Sequence, residues 1–460
     1  MVAMDLVIKN GTVATGSGAA VIDVGIEDGQ ITQLGGTMRA SQSIDAEGMF
    51  VLPGGVDPHV HLTPPRTGPG ENSWADNFEI GTRAALAGGV TTVGNMSFPR
   101  KGESMSEGLQ RDIEDARTQS LADFFHHPVL LDPDEKALDE IPDLAAQGHP
   151  SVKIFLSFKR FDRNVEGFLK AMRIAAEVGS VMLLHCEDAA LMGCCGELVR
   201  EAGLTSHRHY PETRPVVAER IATERAIGFC EISGAATYIV HLSSQEALDV
   251  CRGGRARGLP LYVETRPIYL HLDRTRFDEP DGAKYAGAPP LRQKQDQAAL
   301  WAGVVDGAVS TVATDHAPWT LEQKLDQSLG PAELRQGMAE LETSMPMLWA
   351  LGVAQKRISL NRFVEVTSTN PAKLFGMYPQ KGCIAPGSDA DLLILDPHET
   401  RTIDGSQMHS AAGYSPYDGW EITGWPRFTI SRGEVVAEGA TVNASPGRGL
   451  LVPREPFERP

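Results

Sequence analysis

The spacing of apolar residues changes twice along the chain. Near the amino terminus, alternating apolar and polar residues are interrupted by Asn-Gly, Asp-Gly and Glu-Gly pairs over residues 5–15, 20–34 and 43–54. Residues 387–397 and 426–442 show the same alternation near the carboxyl end, with an Arg-Gly turn. Alternating segments separated by such turns are typical of antiparallel strands. We therefore predict one small β domain assembled from residues 1–52 and 385–460.

Between these ends, short apolar runs alternate with longer segments that carry apolar residues at helical spacing. The longer segments, such as 164–179 and 215–234, end at glycine, a common helix stop. Eight such strand and helix units predict a (β/α)8 barrel with insertions over residues 53–384. The eight predicted strands are 49–62, 90–96, 124–131, 151–158, 180–187, 236–244, 260–265 and 309–316.

Composition narrows the class of protein. Hydrophobic residues make up 42% and charged residues 22% of the chain, as in ordinary soluble globular proteins. The 42 Lys plus Arg against 60 Asp plus Glu give a net charge of -18, which disfavours nucleic acids and anionic membranes as partners. Neither a targeting segment nor a membrane-spanning run is visible, so we expect a cytoplasmic protein.

Two histidines follow the first predicted barrel strand in the stretch LPGGVDPHVHL. Side chains at positions i and i+2 of a strand point the same way, so His59 and His61 can converge on one metal ion. Taken alone, the pair is more often two exposed or hydrogen-bonded histidines at a strand end. The interpretation therefore depends on what other strands bring to the same place.

Four more chemically reactive residues fall in other predicted barrel strands. They are Lys153, His185, His241 and Asp315. Active sites of such barrels form at the carboxyl ends of the strands, so these side chains are expected to meet the two histidines there. Each has an ordinary structural alternative, but their joint placement favours a metal site. Lys153 has apolar neighbours, and burial would leave a neutral amine that captures carbon dioxide as a carbamate.

With these residues in place, the chain resembles the amidohydrolase superfamily, and within it the hydantoinase and dihydropyrimidinase group of cyclic amidases. The motifs PGGVDPHVHL, SVKIFLSF, LLHCED, IVHLSS, ATDHAP and NPAKLFGMYPQKGCIAPGSDADLLILDP carry the resemblance over nearly the whole chain. It implies a (β/α)8 barrel beside a β-sandwich-like domain. It also implies two divalent ions per subunit, Zn2+ with Mn2+ or Co2+ as alternatives, and a homotetramer, with a dimer as the alternative.

The resemblance further implies a role for every candidate. The implied metal ligands are His59, His61, Lys153, His185, His241 and Asp315. The first two histidines and Asp315 would hold the more buried ion, the other two histidines the more exposed one. Lys153, as N6-carboxylysine, would bridge both. A hydroxide between the ions would open a hydantoin-type ring to an N-carbamoyl amino acid, with Asp315 as the catalytic residue that moves the proton.

Three positions are the expected substrate contacts, and some depart from the group. Phe158 stands where the group places a tyrosine that stabilises the oxyanion, while Ala288 and Gln336 would contact the ring through backbone atoms. Arg266 replaces a cysteine of the group, and Thr63 replaces the arginine with which dihydroorotases bind a carboxylate. A carboxylated substrate is therefore disfavoured.

Several alternatives stay open on the sequence. A dihydropyrimidinase, an allantoinase, or a hydrolase of an acyclic or xenobiotic amide, urea or carbamate would share this metal site. A non-catalytic dihydropyrimidinase-related scaffold is the alternative outside the enzymes, and the complete set of ligand positions argues against it. The segment 63–78, with Trp74, is either a cover of the pocket or a surface loop, and 206–215 is predicted as a plain loop.

Overall fold

Short strands from the amino-terminal region are separated by tight turns, as the sequence predicts. The computed structural model describes residues 4–15, 18–62 and 74–458. Turns between strands use left-handed backbone at Asn10 (φ 63°) and Asp28 (φ 51°), residue types that tolerate this conformation. The strands are β1 (Met4–Lys9), β2 (Thr12–Thr15), β3 (Gly18–Val21), β4 (Val24–Glu27), β5 (Gln30–Leu34), β6 (Ala40–Asp45) and β7 (Phe50–Pro53).

Eight parallel strands then form a closed barrel, which confirms the predicted fold class. Neighbours pair in chain order in two runs, and single parallel bridges from Val129 to Lys153 and from Val60 to His316 join the runs. Both bridges involve or adjoin candidate site residues. The strands are β8 (Gly55–Val60), β9 (Val90–Ser97), β10 (Asp123–Pro128), β11 (Ser151–Phe155), β12 (Val181–His185), β13 (Thr237–Ile239), β14 (Leu261–Thr265) and β15 (Thr311–Val312).

Strands from the carboxyl-terminal region complete the β domain. They are β16 (Leu392–Thr402), β17 (Glu421–Ser431), β18 (Glu434–Glu438) and β19 (Thr441–Val442). One sheet has the order β5-β4-β1-β6 and the other β19-β18-β17-β16-β7-β2-β3. Ile8, Ile26, Val51, Leu392 and Ile430 belong to the apolar core of these strands. A β-sandwich-like domain with strands from both ends is thus confirmed, while its boundaries at 52/53 and 384/385 stay a prediction.

Helices connect the barrel strands and cover the outside of the barrel. The predicted glycine stops are present, since Gly179 (φ 66°) and Gly234 (φ 73°) follow the helices predicted at 164–179 and 215–234. In the described residues, no helix has the length and apolar content needed to cross a membrane. The α-helices are α1 (Phe78–Ala87), α2 (Met105–Gln119), α3 (Glu135–Ala146), α4 (Lys159–Arg163), α5 (Val165–Glu177), α6 (Ala189–Glu201), α7 (Tyr210–Thr213), α8 (Val216–Ser233), α9 (Gln245–Ala256), α10 (Pro267–His271), α11 (Lys294–Asp306), α12 (Leu321–Lys324), α13 (Leu341–Leu348), α14 (Leu360–Val364) and α15 (Asn370–Leu374).

The first predicted barrel strand, 49–62, is in fact two strands in two sheets. β7 pairs with β16 of the β domain, whereas β8 pairs with β9 of the barrel. Gly54 lies between them, where a Cβ would collide with the Thr91 side chain. Because only glycine permits this close approach, the chain passes from the β domain into the barrel at this residue.

The carboxyl-terminal tail crosses the face of the barrel where the strands begin. Leu451 bridges to Phe124 at the start of β10, and the Phe457 amide donates to the Gly179 carbonyl at 2.7 Å. The buried Arg454 guanidinium donates to Ser151 Oγ at 2.9 Å, at the start of β11. The tail therefore covers the barrel face opposite the candidate site.

Candidate metal centre

All residues assigned from the sequence to metal or substrate line one cavity of about 310 Å³. The cavity lies where the barrel strands end, the usual position of active sites in this fold. Trp74 also lines it, as the interpretation of segment 63–78 as a cover of the pocket predicts. Residues 63–73 of that segment, including Thr63, lie outside the described residues. The assigned residues are His59, His61, Lys153, Phe158, His185, His241, Ala288, Asp315 and Gln336.

Three buried side chains form the first candidate ion site. Asp315 Oδ1 lies 3.0 Å from Nε2 of His61 and 3.2 Å from Nε2 of His59. One nitrogen or oxygen from each of the three residues lies within 4.8 Å of the others. Asp315 reaches this position with left-handed backbone (φ 48°). Such strain in a residue other than glycine clusters at functional sites.

The remaining candidates adjoin this group. The His241 ring lies 5.5 Å from the His59 ring and 4.4 Å from the His185 ring, between centroids. Lys153 is fully buried on β11, and its Nζ lies 4.9 Å from the centroid of the Phe155 ring. The structure thus brings the six predicted ligands together, although their roles as ligands stay predictions.

The side chains present fit a pair of divalent metal ions. His61 Nδ1, Lys153 Nζ and His241 Nδ1 are buried and have no hydrogen-bond partner in the described part of the chain. A buried polar atom without a partner costs about 1 to 3 kcal/mol. Burial lowers the pKa of His59 and His241 well below the ordinary value, so both rings are in the neutral form that binds metals. Four imidazoles and one carboxylate suit an ion of the zinc type.

Lys153 has the environment that a carbamate requires. Burial lowers the pKa of its amine to about 8, although the charges of Asp315 and Glu264 act in the opposite direction. Near neutral pH, part of the amine is therefore unprotonated and able to react with carbon dioxide. A carbamate would also place an anion among the four histidines.

Glu264 is a central residue that the sequence analysis missed. Its Oε1 accepts hydrogen bonds from His59 Nδ1 and from the His241 backbone amide, both at 2.7 Å, and its Oε2 accepts from Tyr238 at 2.8 Å. Burial raises the pKa of Glu264 to about 7. The signal was an acidic residue inside the apolar strand PLYVET. A carboxylate that accepts a hydrogen bond from one ring nitrogen of a histidine orients the other ring nitrogen toward a metal ion.

Glu187 and Arg214 form a second supporting pair that was missed. Glu187 Oε2 accepts from His185 Nε2 at 2.8 Å, and its Oε1 accepts from Arg214 Nε at 3.0 Å. Burial opposes the charge of Glu187, but Arg214 and the His185 hydrogen bond hold its pKa at about 2. Arg214 itself lines the cavity. The prediction of a plain loop at 206–215 is therefore wrong, and the segment includes a 3-10 turn and α7.

Arg266, which the sequence indicates only as a departure from the group, pairs with two buried carboxylates in the structure. Its Nη1 lies 3.0 Å from Asp315 Oδ2, and its Nη2 contacts Glu340. Burial opposes ionisation of Asp315, but His59 and the Arg266 guanidinium hold the pKa of that carboxyl well below its usual range.

The expected substrate contacts lie on two backbone segments and one aromatic wall. Lys324 Nζ donates to the carbonyl of Ala286 at 2.6 Å, two residues before Ala288, and to that of Gly337 at 3.1 Å, directly after Gln336. The wall is formed by ring stacking, with Phe155 and Phe158 centroids 4.6 Å apart. The other apolar side chains of the cavity include Trp74, Phe98 and Met192.

Comparison with known proteins identifies the family. The model of the amidohydrolase family matches residues 50–436. D-phenylhydantoinase of Escherichia coli O9:H4 (strain HS) is 39% identical over 99% of this chain and all of its own length. D-hydantoinase from Bacillus sp. AR9 superposes with a TM-score of 0.95 at 35% identity, covering 99% of this chain and 100% of that one. Dihydropyrimidinase from Brevibacillus agri NCHU1002 gives 0.94 at 36% identity, with the same coverage. The protein with these barrel-end histidines belongs to the amidohydrolase family.

Proposed function

We propose that this protein is a metal-dependent hydrolase that opens a hydantoin-type ring to an N-carbamoyl amino acid. One observation carries the proposal: six side chains on or just after five barrel strands converge in one cavity, and several of their buried atoms have no hydrogen-bond partner among the described residues. The relatives named above as hydantoinases and a dihydropyrimidinase support the class of substrate.

His59, His61 and Asp315 would hold one ion, His185 and His241 the other, and carboxylated Lys153 would join them. Divalent ions bound there supply Lewis acidity and lower the pKa of water. Zn2+ is the proposed metal, with Mn2+ and Co2+ as alternatives, because imidazole and carboxylate ligands suit these ions.

Asp315 would carry the proton through the reaction. Water adds to the amide carbonyl carbon, Asp315 accepts the proton that this water loses, and the ring carbon–nitrogen bond then breaks. The same carboxyl delivers the proton to the departing nitrogen, so it acts first as base and then as acid. The backbone at Ala288 and Gln336 would hold the ring during these steps.

The aromatic wall supports a hydantoin with an apolar substituent as the substrate. Phe98, Phe155 and Phe158 present ring surfaces to the cavity, and such surfaces stabilise apolar groups. A dihydropyrimidine without a substituent offers no apolar group to this wall and is the weaker candidate. The alternative of an acyclic amide, urea or carbamate rests on Phe158, which has no hydroxyl for the oxyanion, and on Arg266.

The direct test is a substrate panel with the metal-loaded protein. The panel contains 5-substituted hydantoins, dihydrouracil, allantoin and dihydroorotate, and ring opening is followed by chromatography of the N-carbamoyl products. We expect turnover of hydantoins with apolar substituents above that of the other rings. If protein that holds metal opens none of these rings, the proposal is refuted.

Carboxylation of Lys153 has its own test. A crystal structure should reveal density for one carbon dioxide unit on Nζ, and Lys153→Met should bind less than the wild-type amount of metal. Unmodified lysine in protein that holds both ions would contradict this part of the proposal. We also propose that the protein forms a homotetramer, which light scattering can test, and that it is cytoplasmic.

A further inference from the structure

Arg266 directly follows β14 and is completely buried. Its guanidinium lies between two carboxylates, because Nη1 is 3.0 Å from Asp315 Oδ2 and Nη2 contacts Glu340. Burying a guanidinium is expensive unless anions pair with it, so these two contacts determine its place. The planar fork of arginine fixes both partners in direction as well as distance.

The two carboxylate oxygens of Asp315 contact different residues. Oδ2 is held by Arg266, while Oδ1 faces His61 at 3.0 Å and His59 at 3.2 Å. A carboxylate that is free to rotate about its side-chain bonds would exchange these oxygens. Arg266 therefore selects one orientation of the residue that is proposed to carry the proton.

Glu340, the second partner of Arg266, is itself held by hydrogen bonds through its side chain and its backbone. Its Oε2 accepts from the Ile268 amide at 3.2 Å, so the carboxylate that holds Arg266 is itself fixed to α10. Its own backbone amide lies 3.1 Å from Nδ1 of His316, the residue after Asp315. The Asp315–His316 pair is thus held by the Arg266 side chain on one side and by the backbone of residue 340 on the other.

We propose that Arg266 is a positioning residue that fixes the Asp315 carboxylate for proton transfer. Arg266 does not itself line the cavity, and its side chain pairs with Asp315 and Glu340, so it acts on the site through Asp315. The expected effect is a loss of turnover with little change in substrate binding, because misplacing a reacting group raises the barrier of the chemical step. This inference rests on the proposed function for its kinetic part only.

Three variants test the role of Arg266. Arg266→Met removes both contacts, Arg266→Lys keeps the charge but reaches only one carboxylate, and Arg266→Met with Glu340→Gln avoids an unpaired buried acid. We expect kcat on the best hydantoin to fall about 100-fold in Arg266→Met. KM should stay within about threefold, as for a group that acts in the transition state. Arg266→Lys should lie between that variant and wild type.

The visible absorption spectrum of the Co2+-loaded protein supplies a second readout, since it reports the geometry of the bound ion. Arg266→Met and the double variant should both change the spectrum, whereas the exposed Arg257→Met should not. A folded double variant with wild-type kcat and an unchanged spectrum would overturn the inference. If wild-type protein opens no hydantoin, the proposed function fails, and the cobalt spectra still decide whether Arg266 positions Asp315.

Discussion

Oε1 of Glu264 lies 2.7 Å from Nδ1 of His59 and accepts a second hydrogen bond, also 2.7 Å long, from the backbone amide of His241. One carboxylate oxygen thereby orients a candidate ligand of each proposed ion. The ring of His59 is fixed with Nδ1 toward Glu264, which leaves Nε2 directed at the Asp315 side chain. A single buried acid thus links the two halves of the site.

Replacing Glu264 with glutamine should weaken metal binding. The amide keeps the size of the side chain but loses the negative charge that makes His59 a stronger ligand. We expect the Kd for Zn2+, measured by competition with a chelator, to rise about 10-fold to 100-fold. Glu219→Gln is the matched control, because Glu219 is also buried but contacts Ser243 and Arg292. Wild-type affinity in Glu264→Gln would contradict this role.

Phe158→Tyr should increase turnover. Phe158 lines the cavity and stands where the resemblance places a tyrosine that stabilises the oxyanion, so we expect a hydroxyl added to its ring to donate to the developing oxyanion. Because loss of one such donor costs about 10²-fold to 10³-fold in kcat, gain of one should raise kcat by at least about tenfold. Steady-state kinetics with a hydantoin checks this. Phe155→Tyr places a hydroxyl on the neighbouring stacked ring, and an equal gain there would argue against a specific donor at 158.

The sequence predicted the barrel and the six candidate ligands because both depend on local patterns. Apolar runs indicate the strands, and residues near their carboxyl ends must converge when the strands close into a barrel. The split of 49–62 into β7 and β8 could not be read from apolar character, since both strands are buried and the single residue Gly54 lies between them.

The supporting residues were harder to predict for a different reason. They act through contacts that are distant in sequence: Glu264 meets His59 205 positions away, Arg266 meets Asp315 49 positions away, and Glu187 meets Arg214 27 positions away. A sequence reveals an acid in an apolar strand but does not say which histidine it meets. Of these residues, Glu187 carried the clearest signal, since it lies two positions after His185.

Lys324→Met should weaken substrate binding without removing metal. Lys324 is buried and donates to the Ala286, Arg335 and Gly337 carbonyls, so it ties together the two backbone segments proposed to contact the ring. Methionine fills similar space but leaves three carbonyls without this donor. We expect KM for a hydantoin to rise about tenfold or more, with metal content unchanged, since contacts to the bound substrate are affected.

The control for Lys324→Met is Lys373→Met, the same change at an exposed lysine on α15. Differential scanning fluorimetry should accompany the kinetics, because unpartnered carbonyls also lower the free energy of unfolding. An unchanged KM in a folded Lys324→Met protein would show that the two segments keep their positions without hydrogen bonds from Lys324.

Buried histidines near the barrel face that the carboxyl-terminal tail covers should lower the free energy of unfolding in acid. Burial, together with the charge of Arg454, lowers the pKa of His149 from 6.5 to about 4. His126 and His127, in the same region, have pKa values lowered well below the ordinary value, chiefly by burial. These rings are neutral in the folded protein, whereas in the unfolded chain they take up protons near pH 6.5.

The sign of the effect follows from this difference. As the pH falls below 6.5, the unfolded chain binds a proton at His149 that the folded protein does not bind until about pH 4. The free energy of unfolding is therefore unaffected by His149 above about pH 7 and decreases on the acid side, by on the order of 1 to 2 kcal/mol between pH 7 and pH 5. His149→Gln, which cannot take up the proton, should flatten the pH dependence of urea unfolding by this amount. The same change at the exposed His398, His398→Gln, is the matched control. Equal slopes in His149→Gln and wild type would mean that His149 is protonated in the folded protein as readily as in the unfolded chain.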